Sequence, residues 1–265
     1  MLQKRVNLFG LKIDDISMAG ALEIFKKRLD KEEKTLFFTP NLEMLAAAHE
    51  SDRIKEMLNC ATVSLPDGFG LKIIGKLMGS PIQNTVAGID FGECALEIAA
   101  KRGKRVFLLG GRAGVAESAV ENLKRKHPTL EICGVQHGFF SEEELTGVIE
   151  KINSSGAEIL IVCMGFPRQE RFALRVRGKL TSVRTLLCLG GSLDVWAWEV
   201  KRAPALLQRS HLEWAWRIIC EPQRAKRFVR SLSPFPSALA IFIKKIGMKR
   251  GGAAYNQTKQ DDRGG

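Results

Sequence analysis

Five apolar runs in this chain each stop at glycine, proline or a small polar residue, at about residues 39, 67, 110, 165 and 190, and helix-like segments follow. That alternation of strand and helix leaves few folds open. The expected class is α/β: a Rossmann-like, largely parallel sheet with helices on both faces and a ligand crevice beyond the carboxyl ends of the strands.

Read in order, Val6 to Ile13 is a strand or hairpin, and Ser17 caps a helix to about Leu29 with Met18, Leu22, Phe25 and Leu29 at helical spacing. Lys34 to Thr39 is a strand broken by Pro40, and a helix follows over Leu42 to Glu50. The run from Ala61 closes on Pro66-Asp67-Gly68, a turn signal because Pro withdraws a ladder donor and Gly accepts positive φ. A helix then runs to about Met78 and another from the Val86 to Asp90 stretch through Arg102. Further strands are expected at 104–109, 132–135, 158–164 and 185–189, with a helix to about His127 after the first of them.

The strand-end turns hold the candidate site. Asp67 is the candidate reacting group, and Thr39 and Asn41 bring small polar groups to a neighbouring strand end, Asn41 also being suited to cap a helix. Gly110 and Gly111 lie between a strand and a helix, where backbone N–H groups can approach a phosphate. A dinucleotide site would want an acid at the end of the next strand; Glu131 precedes that strand, so a nucleoside diphosphate suits the turn better than NAD. Gly165 begins a turn in which Pro167 fits the first helical position, placing Arg168 and Gln169 in a first helical turn. Gly191 and Asp194 follow the last strand.

The net charge of +12 is concentrated near the C-terminus, where residues 199–250 hold twelve Lys or Arg against Glu199, Glu213 and Glu221. Such a block implies an anionic partner. Arg224 and Arg227 share a helical face after Pro222. Phe235, Leu239, Phe242 and Ile246 fall at helical spacing beside Lys244, Lys245, Lys249 and Arg250, the pattern of an interfacial segment, although packing on the body would use the same stripe. The six cysteines have no C-x-x-C pair and no zinc-ligand spacing, and read as reduced core thiols. Without a signal-like N-terminus or a spanning apolar run, the chain is expected in the cytoplasm. Nucleic acid is not an expected partner, since a single Tyr and Trp residues in apolar helical contexts offer little stacking surface.

Seven short motifs occur in order: Thr-Pro-Asn at 39–41, Pro-Asp-Gly at 66–68, Ala-Gly-Ile-Asp at 87–90, Leu-Leu-Gly-Gly at 108–111, Gly-Phe-Pro-Arg-Gln-Glu at 165–170, Lys-Arg-Ala-Pro at 201–204 and Glu-Pro-Gln-Arg-Ala-Lys-Arg at 221–227. Together they resemble the WecG/TagA/CpsF glycosyltransferases, from about Val6 to Arg230. The resemblance implies transfer of a sugar, typically N-acetylmannosamine, from UDP to undecaprenyl-diphosphate-linked GlcNAc in cell-surface polymer synthesis. It implies Asp67 as base, with Thr39, Asn41 and Gln169 as pocket residues. Passing from an α-linked donor to a β-linked product inverts the anomeric carbon. No Asp-x-Asp triplet is present to hold a metal, and Arg217, Arg224 and Arg227 would offset the leaving group's charge instead. No metal and no cofactor is expected.

Three positions depart from the family pattern: Thr85 where Arg is common, Leu193 where Phe is usual, and Trp198 where Gly is usual. The partners expected are a UDP-sugar donor, a polyprenyl-diphosphate-linked acceptor and an anionic membrane surface, with homo-oligomerisation left open. The expected organisation is an α/β body over 1–200, a basic helical appendage over 201–250 that targets the inner face of the membrane and completes the site, and a disordered tail over 251–265. A nucleotide-binding oxidoreductase using the 110–114 turn is the competing reading.

Overall fold

The computed structural model describes residues 4–31, 33–204, 206–207, 213–220 and 222–245, the side chains of Trp214, Arg217 and Arg224 excepted. The strands are β1 Arg5–Leu8, β2 Leu11–Asp14, β3 Thr35–Phe38, β4 Val63–Ser64, β5 Val106–Gly110, β6 Ile132–Gln136, β7 Ile159–Cys163 and β8 Thr185–Cys188. The first two form an antiparallel hairpin, and the others one six-stranded sheet in the order β4-β3-β8-β7-β5-β6. Every pairing in that sheet is parallel.

The helices are α1 Met18–Leu29, α2 Leu42–Glu50, α3 Asp52–Asn59, α4 Phe69–Met78, α5 Gly88–Lys101, α6 Val115–Lys126, α7 Leu145–Ser154, α8 Arg168–Val176, α9 Ser192–Trp196, α10 Glu213–Cys220 and α11 Arg224–Ser231. A further helix, α12, covers 234–245. α3, α7 and the short α9 are additions to the elements expected from sequence. Pro167 stands one residue earlier than expected, as the cap of α8 rather than its first helical residue.

Successive strand residues point to opposite faces, and here both faces are covered. In β5, Phe107 and Leu109 pack with Leu45 of α2, Ile74 of α4, Ile152 of α7 and Val176 of α8. Val106 and Leu108 pack on the other side with Phe25 of α1, Phe91 of α5, Ala119 of α6 and Trp196 of α9. Connections running one way along the sheet (β3 to β4, β6 to β7, β7 to β8) carry their helices on the first face. Those running the other way, β4 to β5 through α5 and β5 to β6 through α6, use the second face. A single crossover hand requires this. The chain therefore leaves the adjacent strands β7 and β5 over opposite faces, the condition that opens a crevice at their carboxyl ends.

Six free cysteines are present; Cys163 and Cys188 are buried, but Cys60 and Cys220 are exposed, so the core-thiol reading is corrected for that exposed pair. Trp198 corrects the expectation of Trp in apolar helical contexts: it lies outside the helices, 71% exposed, with the Arg125 guanidinium 5.8 Å from its ring centroid. Its φ of 61° is in the left-handed region, a physical reason for a family preference for Gly there. Among the described residues no helix is long and apolar enough to cross a membrane. The expected tail at 251–265, with Ile246, Lys249 and Arg250, lies outside the described residues.

Candidate active site

The hairpin holds one side of the site in place. Asp14, fully buried, accepts from Arg5 Nε at 2.8 Å and from the Ser64 backbone N–H at 2.7 Å, so a carboxylate fills the outer edge of the short strand β4. Asp15 Oδ1 accepts the backbone N–H groups of Gln83 and Asn84 at 3.0 and 2.9 Å. These bonds fix both the strand leading to Asp67 and the segment leading to residues 87–90.

Backbone contacts then join the motifs. The Asp67 N–H donates to Pro40 O at 2.9 Å, and the Val86 N–H donates to Pro66 O at 2.7 Å. Gly68, at φ 90°, turns the chain from Asp67 into α4 in a conformation an L side chain rarely adopts. Gly88 lies so close to Thr39 that a Cβ on it would come within 3.2 Å of Thr39 Cγ2. Arg202 forms an ion pair with Asp90, bringing the 201–204 motif onto the 87–90 motif. Thr39 is buried and donates to Cys188 O at 3.1 Å, linking the ends of β3 and β8.

Asn41 does cap α2: its Oδ1 accepts the Met44 N–H at 3.1 Å. The NH₂ end of that amide is then the part suited to a ligand. Gln169 is buried in the first turn of α8, with Oε1 accepting the Gly190 N–H at 3.0 Å and Nε2 donating to Glu170 Oε1 at 2.8 Å. Asp67, Thr39, Asn41 and Gln169 thus sit on consecutive strand ends, β4, β3 and, through Gly190, β8.

Gly110 and Gly111 follow β5, and the Gly111 N–H donates to Cys163 O at 3.2 Å. A Cβ on Gly110 would stand 2.1 Å from Cys163 O, so close approach of two strands requires glycine at 110 whatever binds there. Gly110→Ala is expected to destabilise the fold by about 2–4 kcal/mol, read as a lower thermal midpoint; an unchanged midpoint would contradict this packing. Gly165 opens the turn before α8 at φ 74°. Arg168 and Gln169 diverge: Arg168 is exposed, donates to Gly138 O at 2.8 Å and lies 5.3 Å from the Phe139 ring centroid, toward the β6 end. Gly191 and Asp194 follow β8, and Asp194 O accepts the Val200 N–H at 3.1 Å. With strands about 4.8 Å apart, the polar row from Asp67 to Gly110 extends roughly 19 Å.

Arg217 is on α10 and Arg224 on α11, with side chains outside the described residues; Arg227 is exposed on α11. α11 packs on α2, the helix that Asn41 caps. α12 docks beside it through Ser237, 3.1 Å from His49 Nε2, buried Ala238, and Lys245 Nζ, which donates to Met78 O at 2.6 Å.

Sequence reasoning missed Glu170. It is fully buried, burial pushes its carboxyl up to about 7 against the opposing pull of the Gln169 bond, and its Oε2 has no hydrogen-bond partner among the described residues. The signal was available: 170, 173 and 176 fall on one helical stripe with apolar Ala173 and Val176. Two cavities of about 370 and 480 Å³ lie elsewhere, one between α3 and α8 and one beside Asp30, Lys104, Glu158 and Arg184 at the opposite edge of the sheet. Neither is lined by the strand-end residues above. Among the described residues no three His, Cys, Asp or Glu side chains group as a metal would require.

A doubly wound parallel sheet with polar side chains gathered at its carboxyl edge makes this an α/β protein of the class in which ligands bind beyond the strand ends. The sequence model of the Glycosyl transferase WecG/TagA/CpsF family matches residues 6–250, and the chain belongs to that family. It is 35% identical over 201 residues to the N-acetylglucosaminyldiphosphoundecaprenol N-acetyl-beta-D-mannosaminyltransferase of Bacillus spizizenii (strain ATCC 23059 / NRRL B-14472 / W23), covering 76% of this chain and 77% of that protein. To the protein of the same description from Bacillus subtilis (strain 168) it is 31% identical over 204 residues, 77% and 78% of the two chains.

Proposed function

We propose that the protein moves N-acetylmannosamine from a UDP donor to undecaprenyl-diphosphate-linked GlcNAc, with inversion at the anomeric carbon, in cell-surface polymer synthesis. The observation that carries this is the meeting of the 39–41, 66–68, 87–90, 165–170 and 201–204 motifs at one edge of the sheet. The names of the Bacillus relatives, N-acetylglucosaminyldiphosphoundecaprenol N-acetyl-beta-D-mannosaminyltransferase, support the sugar and the acceptor in this reading.

In this reading Asp67 takes the proton of the acceptor hydroxyl as that oxygen attacks the anomeric carbon and UDP leaves from the opposite side. Thr39, Asn41 and Gln169 line the sugar pocket. The row toward Gly110, Gly111, Gly165, Arg168, Gly191 and Asp194 takes the rest of the nucleotide, with backbone N–H groups at glycine turns facing phosphate oxygens. Arg217, Arg224 and Arg227 offset the charge that develops on the diphosphate. Exposed Val229, Leu232, Leu239, Phe242 and Ile243, beside basic Arg230 and Lys244, support contact of the appendage with the inner face of the membrane.

The deciding experiment is a panel of UDP-sugars with a lipid-diphosphate-GlcNAc analogue, the product's anomeric configuration read by NMR. Transfer from UDP-N-acetylmannosamine to a β-linked product is expected. Preference for UDP-glucose or a UDP-uronic acid would move the donor assignment, and an α-linked product would overturn inversion. Turnover is also expected to survive excess EDTA, because cationic side chains occupy the role a metal would fill; loss on chelation with recovery on Mg²⁺ or Mn²⁺ would refute that.

A further inference from the structure

The described residues bury two acids completely, and they are treated differently. Asp14 has Arg5 and the Ser64 N–H, whereas the Glu170 carboxyl has the bond from Gln169 Nε2 to its Oε1 and its own backbone N–H, and no ion pair among the described residues. Burying a carboxylate without a cation is costly, and an apolar side chain at 170 would avoid the cost.

What the carboxyl does there is set by the amide beside it. Gly190 presents an N–H to one end of the Gln169 amide, and Glu170 Oε1 receives an N–H from the other. A flipped amide would oppose two donors at Gly190, so the Gly190 N–H selects one orientation and Glu170 Oε1 accepts from it. The same network reaches β8 and β3: Cys188 Sγ lies 3.7 Å from Gln169 O, and Cys188 O accepts from Thr39.

The geometry points to Glu170 as a positioning residue that acts through Gln169 to hold the turn after β8 and the second Gln169 N–H at the crevice. This rests on the reading of Gln169 as a residue of the transfer site. The titratable group that faces Glu170 is the Cys188 thiol of β8, which burial, and after it the Glu170 carboxyl and Cys163, hold well above its usual range; Cys163 of β7, beside Asp194, is pushed up by burial to about 12. Glu170 is therefore the member of this group that changes charge near neutrality. Its ionisation places a buried charge there, which burial opposes and the Gln169 N–H favours, so the hold on the Gln169 amide changes with that charge.

The test compares wild type with E170Q, E170M, Q169A and the double variant Q169A/E170M, measuring kcat and KM between about pH 6 and about pH 8.5. E170M is expected to lower kcat by about ten- to a hundredfold with a smaller change in KM, the size of a positioning error. E170Q, whose carbonyl accepts the same bond, is expected to restore most of kcat at about pH 6 and to lose the alkaline decline of the wild type. Q169A and the double variant are expected to match, since a residue acting through Gln169 adds nothing once that side chain is gone.

The sign of the linkage supplies a second readout. A carboxyl raised from about 4.3 unfolded to about 7 folded contributes stability present below the unfolded value and lost as pH rises through the folded one. The thermal midpoint of E170Q should therefore gain on wild type as pH rises from about 5 to about 8. Wild-type kcat in E170M beside an inactive Q169A, additive losses in the double variant, or an unchanged alkaline decline in E170Q would overturn the inference alone. Full activity of Q169A would instead remove Gln169 from the site and this inference with it. Should E170M not fold, the E170Q profile still decides.

Discussion

Asp67→Asn is expected to lower transfer by ~10²–10⁴-fold while leaving UDP-sugar affinity nearly unchanged, the size of loss that follows removal of a general base. The substitution keeps the side chain's size, and three features that help place it do not depend on its charge: the Asp67 N–H to Pro40 O bond, the Gly68 turn and the Val86 N–H to Pro66 O bond are backbone. What disappears is the capacity to accept the acceptor's proton. Turnover with the lipid-diphosphate-GlcNAc analogue, beside calorimetric binding of UDP-sugar, separates the two effects. Near-normal turnover would remove Asp67 from the mechanism; weakened donor binding with an unchanged kcat would make it a binding residue.

Ending the chain after Ala203 is expected to leave a folded α/β body that binds no vesicles and transfers almost nothing. The cut retains the Arg202 to Asp90 pair and buried Ala203, which anchor the 201–204 motif on the body. It removes Arg217, Arg224 and Arg227, each able to contribute ~1.5–3 kcal/mol as a charged hydrogen bond to a diphosphate. It also removes the basic, apolar surface of α11 and α12, where membrane attraction adds roughly 1 kcal/mol per nearby Lys or Arg. Deleting only 232–265 should weaken vesicle binding yet keep some transfer to a short-chain soluble acceptor. Both cuts uncover the α2 surface on which Phe235 and Ala238 pack, so circular dichroism must accompany the assays. Single Arg→Ala variants of the full chain separate lost charge from lost packing. Full activity of the longer truncation on the soluble acceptor would place the site wholly in the body.

Most elements were legible because their signals are local. Asn41 as a cap needs only its own side chain and the N–H three residues on, and the 66–68 turn needs only Pro and Gly chemistry. Arg168 was legible as a polar residue in the first turn of a helix but not in its direction: adjacent helical positions point about 100° apart, so Gln169 turns to β8 while Arg168 reaches Gly138 beyond β6. Glu170 escaped for a related reason. Its polarity marks it as exposed, against the apolar stripe it shares with Ala173 and Val176, and the packing of α8 against β8 encloses it.

By itself the sequence determined the alternation of strand and helix, the turn chemistry at each strand end and the uneven charge, since periodicity, φ restriction and residue charge are properties of neighbours along the chain. Only the tertiary structure decided that β3 lies between β4 and β8, that Asp14 holds β4 while Asp15 holds the segment before α5, and that Asp90 meets Arg202. Strand order follows from which apolar faces bury together under one crossover hand. The state of Glu170 follows from desolvation contributed by several elements at once, and neither quantity is carried by any single stretch of sequence.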